Sequence, residues 1–181
     1  MTEDGLARAL APERVDSILS DIGEFTKSGR AHGRFIDYSA PYTPSSIPDG
    51  TVDLFLSHSV LEHVSDLPAA LQLMHRSLKP GGLMSHQFDL RSHNITRSWD
   101  GHRAFEESVW KIVVGKRPFL VNRLPYSAVI EEIERAGFRT LKAERRLEAP
   151  TLSRSELCRE WATASDEDIQ TVSGFVQAEK V

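Results

Sequence analysis

The stretch from Ile47 to Asp89 constrains this chain more than any other. Val52-Asp-Leu-Phe-Leu-Ser57 is apolar on both faces, the pattern of a strand buried inside a parallel sheet. Asp66 or Ser65 can cap the helix that follows, with Pro68 in its first turn. Leu67, Leu71, Met74 and Leu78 make its buried stripe. Lys79-Pro-Gly-Gly82 reads as a turn that stops this helix, and Leu83-Met-Ser-His-Gln-Phe-Asp89 as the next strand. A strand–helix–strand unit of this kind closes as a right-handed crossover between parallel neighbours. That demands an α/β architecture.

The flanking segments extend it. Residues 12–28 carry Val15, Ile18, Leu19, Ile22 and Phe25 on one helical face, with Pro12 near the start and Gly29 past the end. Arg34 to Tyr38 reads as a short strand near the sheet edge, and residues 40–50 as a loop rich in proline, serine and glycine. Residues 91–124 lack clean periodicity but carry Trp99, Phe105, Trp110 and Phe119. Within them, 97–124 is set apart as an insert able to act as a lid. Pro125 opens a helix with Val129, Ile130 and Ile133 inside and Gly137 as its cap. Phe138 to Leu147 and Ser173 to Glu179 read as a closing pair of strands. With no internal repeat, 1–181 reads as one domain.

Two motifs then carry a resemblance. Ile47-Pro-Asp-Gly-Thr-Val-Asp-Leu-Phe-Leu-Ser-His-Ser-Val-Leu-Glu-His-Val64 resembles the turn, fourth strand and "V-L-E-H-V" of class I S-adenosylmethionine-dependent methyltransferases of the type 11 kind. Arg76-Ser-Leu-Lys-Pro-Gly-Gly82 resembles the family's "R-x-L-K-P-G-G" at the proper spacing, and Gly137-Phe138 its entry to the sixth strand. The resemblance covers roughly residues 34–147 and implies a Rossmann-like, three-layer α/β/α sheet with S-adenosylmethionine as cofactor. It also implies that Ser57, His58 and Ser59, just past the fourth strand, lie beside the methyl donor.

The departures concern the cofactor. No two of the 11 glycines have G-x-G spacing, so the family's cofactor loop is missing and the sheet is expected to be incomplete on its amino-terminal side. Asp37 is the acid nearest the place of the family's adenine-side acidic residue, though out of register. Some relatives bind a divalent ion through "E-x-x-E-H". Here Ser59-Val-Leu-Glu62-His63 lacks the first carboxylate, and no metal is expected.

In open α/β sheets ligands sit outside the carboxyl ends of the strands. Those ends here present Ser57 to Ser59 and Asp89 to His93. His58 and His93, with Asp89 beside them, are the expected catalytic groups, since a hydroxyl acceptor needs a base within hydrogen-bond reach. Glu62 and His63 read equally as helix-flanking residues or as part of a site. His86, inside a strand, reads as core.

The expected reaction is methyl transfer to a small-molecule or glycan acceptor. The alternative is an inactive methyltransferase-like module that binds or stabilises a partner. A nicotinamide-dependent oxidoreductase shares the fold class but would need a G-x-G-x-x-G fingerprint, which is absent. A net charge of -4 gives no electrostatic case for nucleic acid. One cysteine, no long apolar run and an acidic start point to the cytoplasm rather than a membrane. Self-association through an exposed sheet edge is a further expectation.

Overall fold

A computed structural model describes residues 10–28, 36–37, 47–117 and 120–181. The chain divides into two compact units, Met1–Ile47 and Pro48–Val181. In the first, helix α1 spans Pro12–Ser28, as the periodicity predicts. Val15, Leu19 and Ile22 on its apolar face are exposed. The strand expected over Arg34 to Tyr38 lies outside the described residues except at Ile36 and Asp37, where Asp37 forms an isolated bridge.

The second unit holds strand β1 (Val52–His58), helix α2 (Leu67–Ser77) and strand β2 (Leu78–Asp89). Helix α3 (Glu107–Val114) and helix α4 (Tyr126–Arg135) precede strand β3 (Phe138–Leu147). Two short helices, α5 (Arg159–Ala162) and α6 (Asp166–Gln170), lead into strand β4 (Thr171–Lys180). The four strands form one sheet in the order β1-β2-β4-β3. β1 and β2 are parallel neighbours, as the crossover rule requires, while β4 runs antiparallel between β2 and β3.

The Lys-Pro-Gly-Gly turn is placed differently from the sequence reading. Helix α2 ends at Ser77, and Leu78 is already extended at φ -69°, ψ 142°. Residues 79–82 run inside β2, where the pairing jumps from Val52–Leu78 to Leu54–Leu83. The extra residues are absorbed as a bulge, which needs Gly81 at φ +70°. Gly82 cannot carry a side chain, since a Cβ would stand 2.9 Å from both the Leu78 side chain and the Lys79 carbonyl. At the other end of α2, Asp66 rather than Ser65 is the cap, its carboxylate accepting the Ala69 amide at 3.0 Å.

Alternation along β2 decides the packing. Met84, His86 and Phe88 point to one face and are buried, whereas Leu83 and Gln87 point to the other and are exposed. The buried face meets Leu61, Leu67 and Leu71 from the β1–α2 region and Tyr126, Val129 and Ile133 from α4. Each fully buried side chain of this kind stabilises by about 1.5–3 kcal/mol. The opposite face carries Leu54, Leu56, Leu83, Leu141 and Leu147, all exposed. Within Pro48–Val181 the described helices thus cover one side of the sheet.

Candidate functional site

β1 and β2 end side by side, and their carboxyl ends lead into the segments that hold the expected site residues. After β1 the backbone turns at Ser59, a non-glycine residue at φ 54°, whose amide donates to the Gln87 carbonyl at 2.8 Å. A short 3-10 helix, Leu61–His63, follows and buries Leu61 and Glu62. Asn122, from the segment before α4, fastens this turn. Its side-chain amide donates to the Leu61 and Val64 carbonyls, and its backbone amide to the Glu62 carbonyl at 2.7 Å.

After β2 the chain forms a tight loop. Ser92 is buried, its amide bonded to the Trp99 carbonyl, and its hydroxyl donates to the Ser98 carbonyl. His93 and Asn94 adopt φ 49° and 63°, a conformation that L residues other than glycine enter at a cost of order 1–3 kcal/mol. The loop borders an open concavity of about 360 Å³ lined by Asp89, Arg91, His93, Asn94, Arg97 and Trp99. Two of the expected catalytic residues, Asp89 and His93, therefore share one concavity, and Trp99 from the aromatic insert is on its wall.

Ser57, His58 and Ser59 do not line that cavity. Ser57 is half-buried, and its hydroxyl meets His86 Nδ1 at 2.7 Å across the parallel pair. That bond engages the oxygen within the sheet. His58 is exposed, with its Nδ1 3.2 Å from the Ser59 hydroxyl. Asp37 belongs to the other compact unit.

Electrostatics separate the remaining groups. Burial raises the affinity of Asp89 for a proton, but Arg91 outweighs it and holds the carboxyl below its ordinary range. The Arg91 guanidinium donates to Asp89 Oδ2 at 2.7 and 3.1 Å and to Oδ1 at 3.0 Å, and its backbone amide donates to Oδ1 at 2.9 Å. An ionised, bidentate-paired carboxylate is a weak base, so Asp89 is suited to positioning rather than proton removal. His86 is buried, and desolvation lowers its pKa to about 4, so it stays neutral. Its placement agrees with a core histidine. Cys158 is buried and free, with a thiol pushed up by burial, which suits an inert residue.

Glu62 behaves differently from every other acid described. Its side chain is 1% exposed, and neither carboxylate oxygen has a hydrogen-bond partner. Burial pushes its pKa up. The backbone amides of Glu62 and Asp89 and the nearby His63 and His93 oppose that push without overcoming it.

Sequence reading left Arg103 and Asn122 unnoticed. Arg103 lies fully buried between Trp99 and Trp161, its guanidinium carbon 4.8 and 4.2 Å from the two rings. It donates to the carbonyls of Leu90, Ile169 and Thr171 and so ties the insert to the ends of β2 and β4. Nothing in the local sequence marks a charged residue as core.

Comparison with known proteins bears on the fold. A family model described as a methyltransferase domain matches residues 14–85. A putative S-adenosylmethionine-dependent methyltransferase from Listeria monocytogenes is similar, with a TM-score of 0.52 at 12% identity over 88% of this chain and 75% of that one. A second, from Methanosarcina mazei, gives 0.50 at 14% identity over 84% and 70%. A third, from Mesorhizobium loti, gives 0.47 at 16% identity over 74% of this chain, which spans 64% of that protein's length. No curated protein matches the sequence significantly.

Proposed function

We infer that the chain, which has the fold of the class I S-adenosylmethionine-dependent methyltransferases, uses S-adenosylmethionine as its cofactor. From that premise we propose that it takes part in methyl transfer to a small-molecule or glycan acceptor bound in the cavity after β2. The observation that carries this reading is the cavity itself. It opens at the carboxyl end of a parallel strand pair, and it joins an imidazole, an ion-paired carboxylate and an indole.

The bound donor would supply an electrophilic methyl group. This chain's residues would do the rest. His93 would take the proton from an acceptor hydroxyl. Asp89, fixed by Arg91, would orient the acceptor, and Trp99 would close one wall against water. The backbone from Ser57 to Ser59, with the exposed His58, offers one wall for the donor. The sequence has no G-x-G loop for the donor's methionine end, and Asp37 belongs to the unit Met1–Ile47. The proposed placement is cytoplasmic; no described helix is long and apolar enough to cross a membrane.

The missing glycine spacing favours a second reading, an inactive module that binds or stabilises a partner. One experiment separates the two. The purified chain is incubated with S-adenosylmethionine and a panel of hydroxylated small molecules and oligosaccharides, and S-adenosylhomocysteine is measured. Acceptor-dependent release that falls in His93→Ala supports transfer at this cavity. No release, together with no heat of cofactor binding by calorimetry, leaves the module reading.

A further inference from the structure

We propose that Glu62, His63 and His93 form a binding site for a divalent transition-metal ion of the zinc, cobalt or iron(II) class. One donor atom from each residue lies within 4.8 Å of the other two. Glu62 and His63 come from the 3-10 turn after β1, and His93 from the loop after β2. The motif through which sequence reading sought a metal needs a carboxylate where Ser59 stands. The tertiary structure brings in a different third donor, thirty residues away, which no local spacing announces.

Three observations point to a ligand here. The first is Glu62, a carboxylate sealed in the interior with both oxygens unpartnered. Such a group costs several kcal/mol unless it is neutralised or given a cation. Asp89 has Arg91 and Asp100 has Thr151 and Leu152, whereas Glu62 accepts no hydrogen bond of normal geometry and has only the nearby backbone amides of Glu62 and Asp89. The second is His63, whose Nδ1 is also buried without a partner, beside the same carboxylate. The third is His93. Its Nε2 stands 3.9 Å from Glu62 Oε1, and its ring meets the His63 ring edge-on with centroids 4.8 Å apart. Its backbone is held at φ 49°.

The donor set selects the ion. Calcium and magnesium require oxygen ligands, whereas two imidazoles and one carboxylate suit the first-row transition ions and zinc. Metal–ligand bonds of about 2.0–2.2 Å place donors roughly 3.0–3.5 Å apart, so the widest separation in the triad must close by about 1.3–1.8 Å. His93, on a loop and 27% exposed, is the member able to move. Three protein ligands leave at least one coordination position open, and His93 also lines the concavity of Asp89, Asn94 and Trp99. The Asn122 bonds to the 3-10 turn fix the backbone that presents the two adjacent ligands.

Binding of Co2+ tests this without reference to methyl transfer; with the ion bound His93 is a ligand, so its role as the base belongs to the metal-free chain alone. The chelator-treated chain is titrated with Co2+ and followed by visible absorption, then with Zn2+ in competition. One equivalent should bind, with bands of a nitrogen–oxygen site, and Zn2+ should displace it. The surface variant His93→Ala and the isosteric Glu62→Gln, each checked for retained fold by circular dichroism, should bind at least about tenfold more weakly. His58→Ala should not change the affinity. Absence of stoichiometric binding at micromolar metal, or equal affinity in His93→Ala and Glu62→Gln, overturns the proposal. In that case Glu62 is a protonated acid packed against His93.

Discussion

Replacing Arg103 by methionine probes the contact that holds the insert to the sheet. The side chain fits the same volume between Trp99 and Trp161 but strands the Leu90, Ile169 and Thr171 carbonyls, which now accept at 3.3, 2.7 and 2.9 Å. An unsatisfied buried acceptor costs about 1–3 kcal/mol. Against that, removing the charge recovers its desolvation cost, which is what lowers the Arg103 pKa to about 10. The guanidinium contacts with the two indoles are lost as well, at up to about 2 kcal/mol each in a dry site. The net expectation is a loss of about 3–5 kcal/mol, comparable to breaking a buried charged contact. In a chain of this size that lowers the melting temperature by roughly 10 °C. Arg103→Lys keeps the charge but cannot present a planar fork to three carbonyls, and should recover less than half of the loss. Urea denaturation of the three proteins, followed by tryptophan fluorescence, measures the difference. A methionine variant within about 1 kcal/mol of the parent would mean the carbonyls find water, and would refute this account of the insert.

Acid should weaken the fold earlier than carboxylate protonation alone would. His86 and His102 have pKa values lowered by burial to about 4 and about 3, against 6.5 when exposed. Between these values the unfolded chain binds more protons, so stability falls as pH drops through about 6.5, by about 2 kcal/mol per histidine at about pH 5; a flat urea midpoint over that range would contradict it. Trp99→Phe should raise the KM for the acceptor more than it lowers kcat, because Trp99 lines the cavity. Phe105→Ala should lower the melting temperature and leave KM alone, because Phe105 stacks on Trp110 at 6.1 Å. The terminal strand β1 exposes Leu54 and Leu56 to the extents of 50% and 75%, so the chain should self-associate as concentration rises. Sedimentation should show Leu56→Asp to be monomeric; an unchanged association constant would place the contact elsewhere.

The parallel β1–β2 pair was legible because its signals are local. A run of Val, Leu and Phe, a capped amphipathic helix and a second run at the proper distance leave one economical closure. The ends of those strands were legible for the same reason, and Asp89 and His93 fall in one cavity as expected. Local signals could not say where side chains turn. Ser57 precedes His58 at a strand end, yet the pleat aims its hydroxyl at His86. Lys79 to Gly82 has the composition of a turn, but pairing with β1 draws it into the strand as a bulge. The third dimension also decided the charges. Arg103 looks like an ordinary surface residue in sequence and Glu62 like a helix-flanking or site residue, since burial is set by what packs over them from elements distant in the chain. Arg103 acquires three carbonyls there and Glu62 none, and that difference in partners follows from the tertiary structure alone.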